Sequence, residues 1–171
     1  ADFPAIPQGW AYLDTAATSQ KPQPVIDAIT RAYDRDYATV HRGVYQRSAD
    51  MTLAFEAARR RVAQFIGGQE NEIVFVRGAT EGINLVAQCW AGTVLKPGDR
   101  ILLSQLEHHS NIVPWQMVAE RTGAAIDVIP LTEDHRIDLD AMERMLTPAP
   151  KLVALAPVSN VLGSVLAASR A

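Results

Sequence analysis

The sequence predicts an α/β fold in which a mostly parallel sheet is flanked by helices. Two observations carry this prediction. Four short runs rich in β-branched residues or leucine have the length and composition of buried strands: Ile73–Val76, Arg100–Ser104, Ala125–Ile129 and Leu152–Leu155. Segments with helical periodicity separate them, so strand and helix alternate three times.

Two helical patterns precede the first strand, Pro22–Tyr37 and Ser48–Ile66, joined by the irregular stretch Ala38-Thr39-Val40-His41-Arg42-Gly43. Pro22 suits a first helical turn, where its missing N–H is not needed. After the first strand, Thr80–Trp90 places Ile83, Val86, Ala87 and Trp90 on a common face. The turn Lys96-Pro97-Gly98-Asp99 feeds the second strand, and helical spacing returns over Ser110–Arg121 and Asp138–Leu146. Thr147-Pro148-Ala149-Pro150 stops the last of these before the fourth strand. The closing Ala168-Ser169-Arg170-Ala171 reads as the opening of another helix, and a parallel strand needs neighbours on both sides, so the large domain is expected to be incomplete. The organisation expected is an amino-terminal arm and first helix over 1–50, then the front part of a larger domain over 51–171.

Composition narrows the function. The chain has 171 residues, 48% of them hydrophobic and 20% charged, which suits a folded domain and excludes disorder. The net charge is -3, and the one dense basic run, Arg59-Arg60-Arg61, lies inside a helical pattern with no interleaved aromatics, which argues against nucleic-acid binding. No apolar run reaches the roughly 18 residues a membrane span needs. A single cysteine, Cys89, excludes an internal disulfide and suits a reducing compartment, so the cytoplasm is the expected location. Its place within an apolar helix predicts a buried, inert thiol.

Three polar features fall on the carboxyl edge of the predicted sheet, where open α/β sheets bind ligands. In Val76-Arg77-Gly78-Ala79-Thr80-Glu81-Gly82 a strand meets a glycine turn and a helix with Thr80 as a hydroxyl-bearing cap. Free N–H groups and the helix dipole there can seat a phosphate, although a threonine cap is also ordinary folding punctuation. It is neither a P-loop nor a dinucleotide fingerprint. Glu107-His108-His109-Ser110-Asn111 follows the second strand, with a histidine able to lie on an aromatic ring and carry protons, or simply to sit in a capping loop. Adjacent Glu107, His108 and His109 point in different directions and lack a recurring third ligand, so no metal site is expected. Val158-Ser159-Asn160-Val161-Leu162-Gly163 follows the fourth strand, and Asn160 can hold a polar ring substituent or close a turn.

Taken in order, Tyr12-Leu13-Asp14-Thr15-Ala16-Ala17-Thr18, Val40-His41-Arg42-Gly43, the Arg77–Ala87 segment, Glu107–Trp115 and Val158–Gly163 closely resemble the SUF-type (group II) cysteine desulfurases, fold type I pyridoxal-phosphate enzymes of the class-V aminotransferase kind. The resemblance covers nearly the whole chain. It implies pyridoxal 5'-phosphate as cofactor, with Ala79 and Thr80 on its phosphate, His108 stacked on the ring and assisting proton transfer, and Asn160 hydrogen-bonded to the phenolic oxygen. His41 and Arg42 would approach the substrate or the homodimer partner. The implied reaction converts L-cysteine to L-alanine and an enzyme persulfide, which a sulfur-acceptor protein carries toward iron–sulfur cluster assembly. Selenocysteine lyase and cysteine sulfinate desulfinase are alternatives within the family, and a non-catalytic α/β phosphate-binding module is the alternative outside it.

Two departures stand out. Ala79 occupies a position where such enzymes usually have threonine, and Pro157 one where they commonly have histidine. The chemistry also needs a lysine to hold the cofactor as a Schiff base and a thiol to take the sulfur. Lys21, Lys96 and Lys151 lie in none of the expected contexts and Cys89 is in a helix, so the chain is expected to be a truncated desulfurase, inactive alone.

Overall fold

Residues 2–166 are described by a computed structural model, so the expected helix at Ala168–Ala171 lies outside the described residues. The chain forms two compact units divided between Phe75 and Val76.

The first unit carries helix α1 (Gln23–Arg31), which runs on as a π-helical turn over Ala32–Asp36, and the long helix α2 (Gln46–Ile66). Pro22 is the cap residue before α1, one position earlier than the sequence suggested, and Pro24 takes the place in the first turn. Gly67 ends α2 with φ 73°, the left-handed conformation glycine adopts at low cost. Gly43 is required for a different reason. A Cβ there would come within 2.3 Å of the Ser48 hydroxyl, which donates to the Thr39 carbonyl at 2.6 Å.

Ile73–Val76 is not a strand. Its backbone is extended at Ile73, but no ladder forms along it among the described residues, and Val74 and Phe75 are exposed. Apolar, β-branched residues favour an extended chain; a partner strand makes it a sheet.

The second unit holds a three-stranded parallel sheet in the order β2-β1-β3, with β1 Arg100–Ser104, β2 Ala125–Ile129 and β3 Leu152–Val153. The parallel α/β expectation therefore holds. The bounds of β1 and β2 agree with their apolar runs, while β3 pairs over two residues only. Central β1 is apolar on both faces because both are covered. Ile101 and Leu103 point into a cluster with Ala87, Ala91, Leu95, Trp115 and Val118. Leu102 points the other way, onto Ile129 and Met142. Alternation of side chains along one strand thus builds two cores.

Helix α3 (Ala79–Val86), the π-turn Ala87–Ala91 and α4 (Gly92–Val94) form one continuous helical segment on the first face, together with α5 (Val113–Thr122). The face it buries differs from the one its periodicity suggested. Ala87 and Ala91 are fully buried, whereas Trp90 and Val86 are substantially exposed. Cys89, two positions from each buried alanine, is exposed, which corrects the expectation of a buried thiol. Near 100° per residue, two positions carry a side chain about half way round, to the opposite face of the helix.

The opposite face is covered by α6 (Leu139–Met145), whose cap residue Asp138 accepts a hydrogen bond from the Ala141 N–H at 2.8 Å. Arg100 braces the amino-terminal edge of the sheet. Its guanidinium bonds Asp127 on β2, the Met145 carbonyl at the end of α6 and the Pro148 carbonyl beyond it, the last two at 3.0 and 2.6 Å. No helix among the described residues is long and apolar enough to cross a membrane.

Candidate functional site

The strand order sets where a ligand would go. From β1 the chain passes through α5 to β2, then crosses back over α6 to β3 on the other side of β1. The reversal leaves a crevice beyond the carboxyl ends of β1 and β3, the position at which open α/β sheets bind ligands. A cavity of about 520 Å³ lies there. It is within the roughly 300–1,000 Å³ typical of small-molecule sites. One wall is the start of α3, with Ala79, Gly82 and Ile83; another is the loop after β1, with His108 and Ser110; the third runs from Leu152 to Pro157.

The α3 wall supplies backbone donors. Its cap residue is Gly78, not Thr80, which stands in the first turn. The expected tight glycine turn is also absent: Gly78 has φ 169°, extended backbone open to any residue, and a Cβ there would meet nothing within 4 Å. Glu81 closes the helix start instead, its carboxylate accepting from the Arg77 N–H at 2.6 Å. The N–H groups of Ala79 and Thr80 and the Thr80 hydroxyl have no acceptor among the described residues. Unpaired first-turn donors at the positive end of a helix suit an anion.

The loop after β1 is built around His108. Its Nδ1 accepts from the Ser110 N–H at 3.1 Å and lies 2.7 Å from the Ser110 hydroxyl. The Ser110 N–H can only donate, so its bond to Nδ1 assigns the proton of the neutral ring to Nε2. The His109 ring packs against it, centroids 4.0 Å apart.

Beneath this loop is a buried polar network whose role the sequence did not disclose. Glu107, only 8% exposed, accepts from the Ser104 hydroxyl at 2.6 Å, the Asn111 amide at 2.7 Å and the Ala156 N–H at 2.9 and 3.1 Å. Asn111 in turn accepts from the Trp115 indole at 2.9 Å. The available signal was the spacing, with serine three residues before the glutamate and asparagine four after it, the reach of a helical turn.

Asn160, the remaining predicted contact, is exposed in the turn Ser159–Gly163 and does not line the cavity wall. Buried Ser159 shapes that turn, its hydroxyl accepting from Val161 and Leu162 N–H at 3.3 and 3.2 Å. The structure therefore brings Ala79 and His108 to one cavity, places Thr80 beside Ala79 on the same first turn, and puts Asn160 on the segment that continues from Pro157. A smaller cavity of about 90 Å³ lies nearby, lined by Leu106, Arg136, Ser159 and Ser164 among others.

His41 and Arg42 belong to the first unit. His41 has φ 66°, its N–H donates to the Thr52 hydroxyl at 2.9 Å, and its Nε2 lies 3.0 Å from Glu56. Glu56 also pairs with Arg59, whose guanidinium stands over the Phe55 and Phe75 rings. Arg42 is exposed. Among the described residues no group of three His, Cys, Asp or Glu side chains is placed to hold a metal ion.

Comparison with known proteins agrees with this architecture. The aminotransferase class-V model matches residues 11–170. A probable cysteine desulfurase from Vibrio cholerae is 51% identical over 170 residues, covering 96% of this chain and 42% of its own length. Among solved structures, the cysteine desulfurase CsdA from Escherichia coli is 41% identical with a TM-score of 0.84, over 99% of this chain and 43% of that one. The apo cysteine desulfurase from Thermococcus onnurineus NA1 is 39% identical with a TM-score of 0.87, over 93% of this chain and 39% of that one. The chain thus spans about two fifths of the length of the relatives it matches.

Proposed function

The chain belongs to the aminotransferase class-V family, and from that premise we propose that it forms the cofactor-seating part of a pyridoxal-phosphate-dependent cysteine desulfurase of the SUF type. The observation that carries the reading is the meeting of the α3 start and His108 in one cavity beyond the ends of β1 and β3.

The residues present fit pyridoxal phosphate. The unpaired N–H groups of Ala79 and Thr80, with the Thr80 hydroxyl, suit its phosphate, and the open space beside Gly78 lets the anion come close. Apolar side chains of Ile83, Val86 and Leu155 give the wall against which a planar ring excludes water. When bound, the group supplies an electron sink for bond cleavage in an amino-acid substrate. His108 stacks on the ring and holds a transferable proton on Nε2. Asn160 hydrogen-bonds the phenolic oxygen from the turn after Pro157.

Lys21, Lys96 and Lys151 do not line the cavity, and Cys89 is exposed on its helix. The covalent lysine and the sulfur-accepting thiol are therefore assigned to other residues of the longer protein. His41 and Arg42 are assigned to its substrate or homodimer contacts. L-cysteine as substrate, a sulfur-acceptor protein, iron–sulfur cluster assembly and a cytoplasmic setting belong to the same proposal.

The test uses the complete polypeptide that carries these residues, loaded with pyridoxal phosphate and given L-cysteine and a thiol reductant. Alanine and sulfide are expected in equal amounts, the sulfide arising when the reductant cleaves the protein persulfide. A loaded protein that releases neither product refutes the proposal. Faster turnover of selenocysteine or cysteine sulfinate would reassign the substrate.

A further inference from the structure

We infer that Glu107 is a positioning residue whose carboxylate locks the His108 loop to the exit of β3, fixing the ring's tautomer and the shape of the cavity. The inference rests on the proposed function only for what the cavity holds.

The geometry of the lock is specific. Glu107 leaves the end of β1, and its Oε1 and Oε2 both reach the Ala156 N–H, so one side chain pins the exits of two neighbouring strands. Its bond to Asn111 closes the loop from the other side, four residues on. Within that closed loop the Asn111 N–H donates to the His108 carbonyl at 2.7 Å, and the Ser110 N–H reaches His108 Nδ1. Trp115 holds Asn111 in its orientation, because the Oδ1 that accepts from the indole fixes Nδ2 toward Glu107. A buried carboxylate surrounded by donors is an acceptor hub, and removing it leaves the buried Ser104 hydroxyl and the part-buried Asn111 amide and Ala156 N–H unpaired at once.

The glutamine variant separates shape from charge. With its NH₂ turned to the Ser104 hydroxyl, which can accept, glutamine still offers its oxygen to Asn111 and Ala156. Alanine offers nothing. Glu107→Gln should therefore keep the lock and Glu107→Ala should lose it.

The experiment has two readings on the complete polypeptide carrying this chain. The first, without cofactor, is the ¹⁵N spectrum of the histidine-labelled protein. His108 should show the Nε2–H tautomer in the parent and in Glu107→Gln, and an averaged, mobile ring in Glu107→Ala. Should Glu107→Ala fail to fold, Asn111→Ala, which cuts the loop side of the lock, should give the same averaging. The second is pyridoxal phosphate binding, expected to weaken at least tenfold in Glu107→Ala or Asn111→Ala and to stay within about threefold of the parent in Glu107→Gln. Asp138→Ala, which loosens α6 away from the cavity, should change neither reading. An unaltered His108 tautomer in the alanine variants overturns the inference. A tautomer that responds as expected in a protein with no saturable pyridoxal phosphate binding sustains the role of Glu107 and refutes the cofactor reading instead.

Discussion

At the scale of single residues, position 79 gives the cleanest handle on the proposed phosphate seat. Ala79 contributes a backbone N–H at the start of α3 and no hydroxyl. Ala79→Thr adds one donor facing an anion, which is worth about 1.5 kcal/mol or roughly tenfold in affinity. Equilibrium dialysis of the complete protein against pyridoxal phosphate should show that tightening, and unchanged or weaker binding would remove the anion from this helix start. His108 was legible at this rim because it follows β1, and the carboxyl edge of a parallel sheet is predictable from strand direction; the α3 start follows Ile73–Val76, which pairs with no strand, so its place beside His108 did not follow from that rule. Precise duties were less legible. Thr80 is a first-turn residue and not the cap, since Gly78 takes the cap position and Glu81 ties the turn to Arg77. The role of Glu107 is not visible in the sequence, because a partner 49 residues away at Ala156 leaves no trace in local spacing. Cys89 looked buried because its neighbours are apolar, yet the helix turns it outward.

Among the elements, β1 and β2 agree with their apolar runs because both faces of β1 are covered, and a continuous Ile-Leu-Leu run is what such a strand requires. Ile73–Val76 carried an equally good run and formed no ladder, since pairing depends on what lies alongside and not on the run itself. The π-turn at Ala87–Ala91 was invisible for a related reason: one extra residue in a turn rotates the buried face without altering composition. Helix α6 is the element whose stability is most local. Asp138 caps it through the Ala141 N–H, so Asp138→Ala should cost about 1 kcal/mol. Chemical denaturation of the complete protein would register this as a lower midpoint at unchanged slope. An unshifted midpoint would mean that packing of Met142 on Leu102 and Ile129 holds α6 without its cap.

For the whole molecule, two braces at opposite edges of one small sheet organise everything else in the second unit. Arg100 ties β1 to β2 and to the end of α6 at the amino-terminal edge, while Glu107 ties β1 to the exit of β3 at the carboxyl edge. The carboxyl edge frames a cavity with donors on one wall and an oriented histidine on the next. The most direct measurement is a crystal structure of the complete protein loaded with pyridoxal phosphate. Phosphate oxygens are expected about 3 Å from the N–H groups of Ala79 and Thr80, with the ring lying against His108 and Asn160 beside its phenolic oxygen. A cofactor whose phosphate sits away from the start of α3, or whose ring does not touch His108, would show that this cavity serves another purpose.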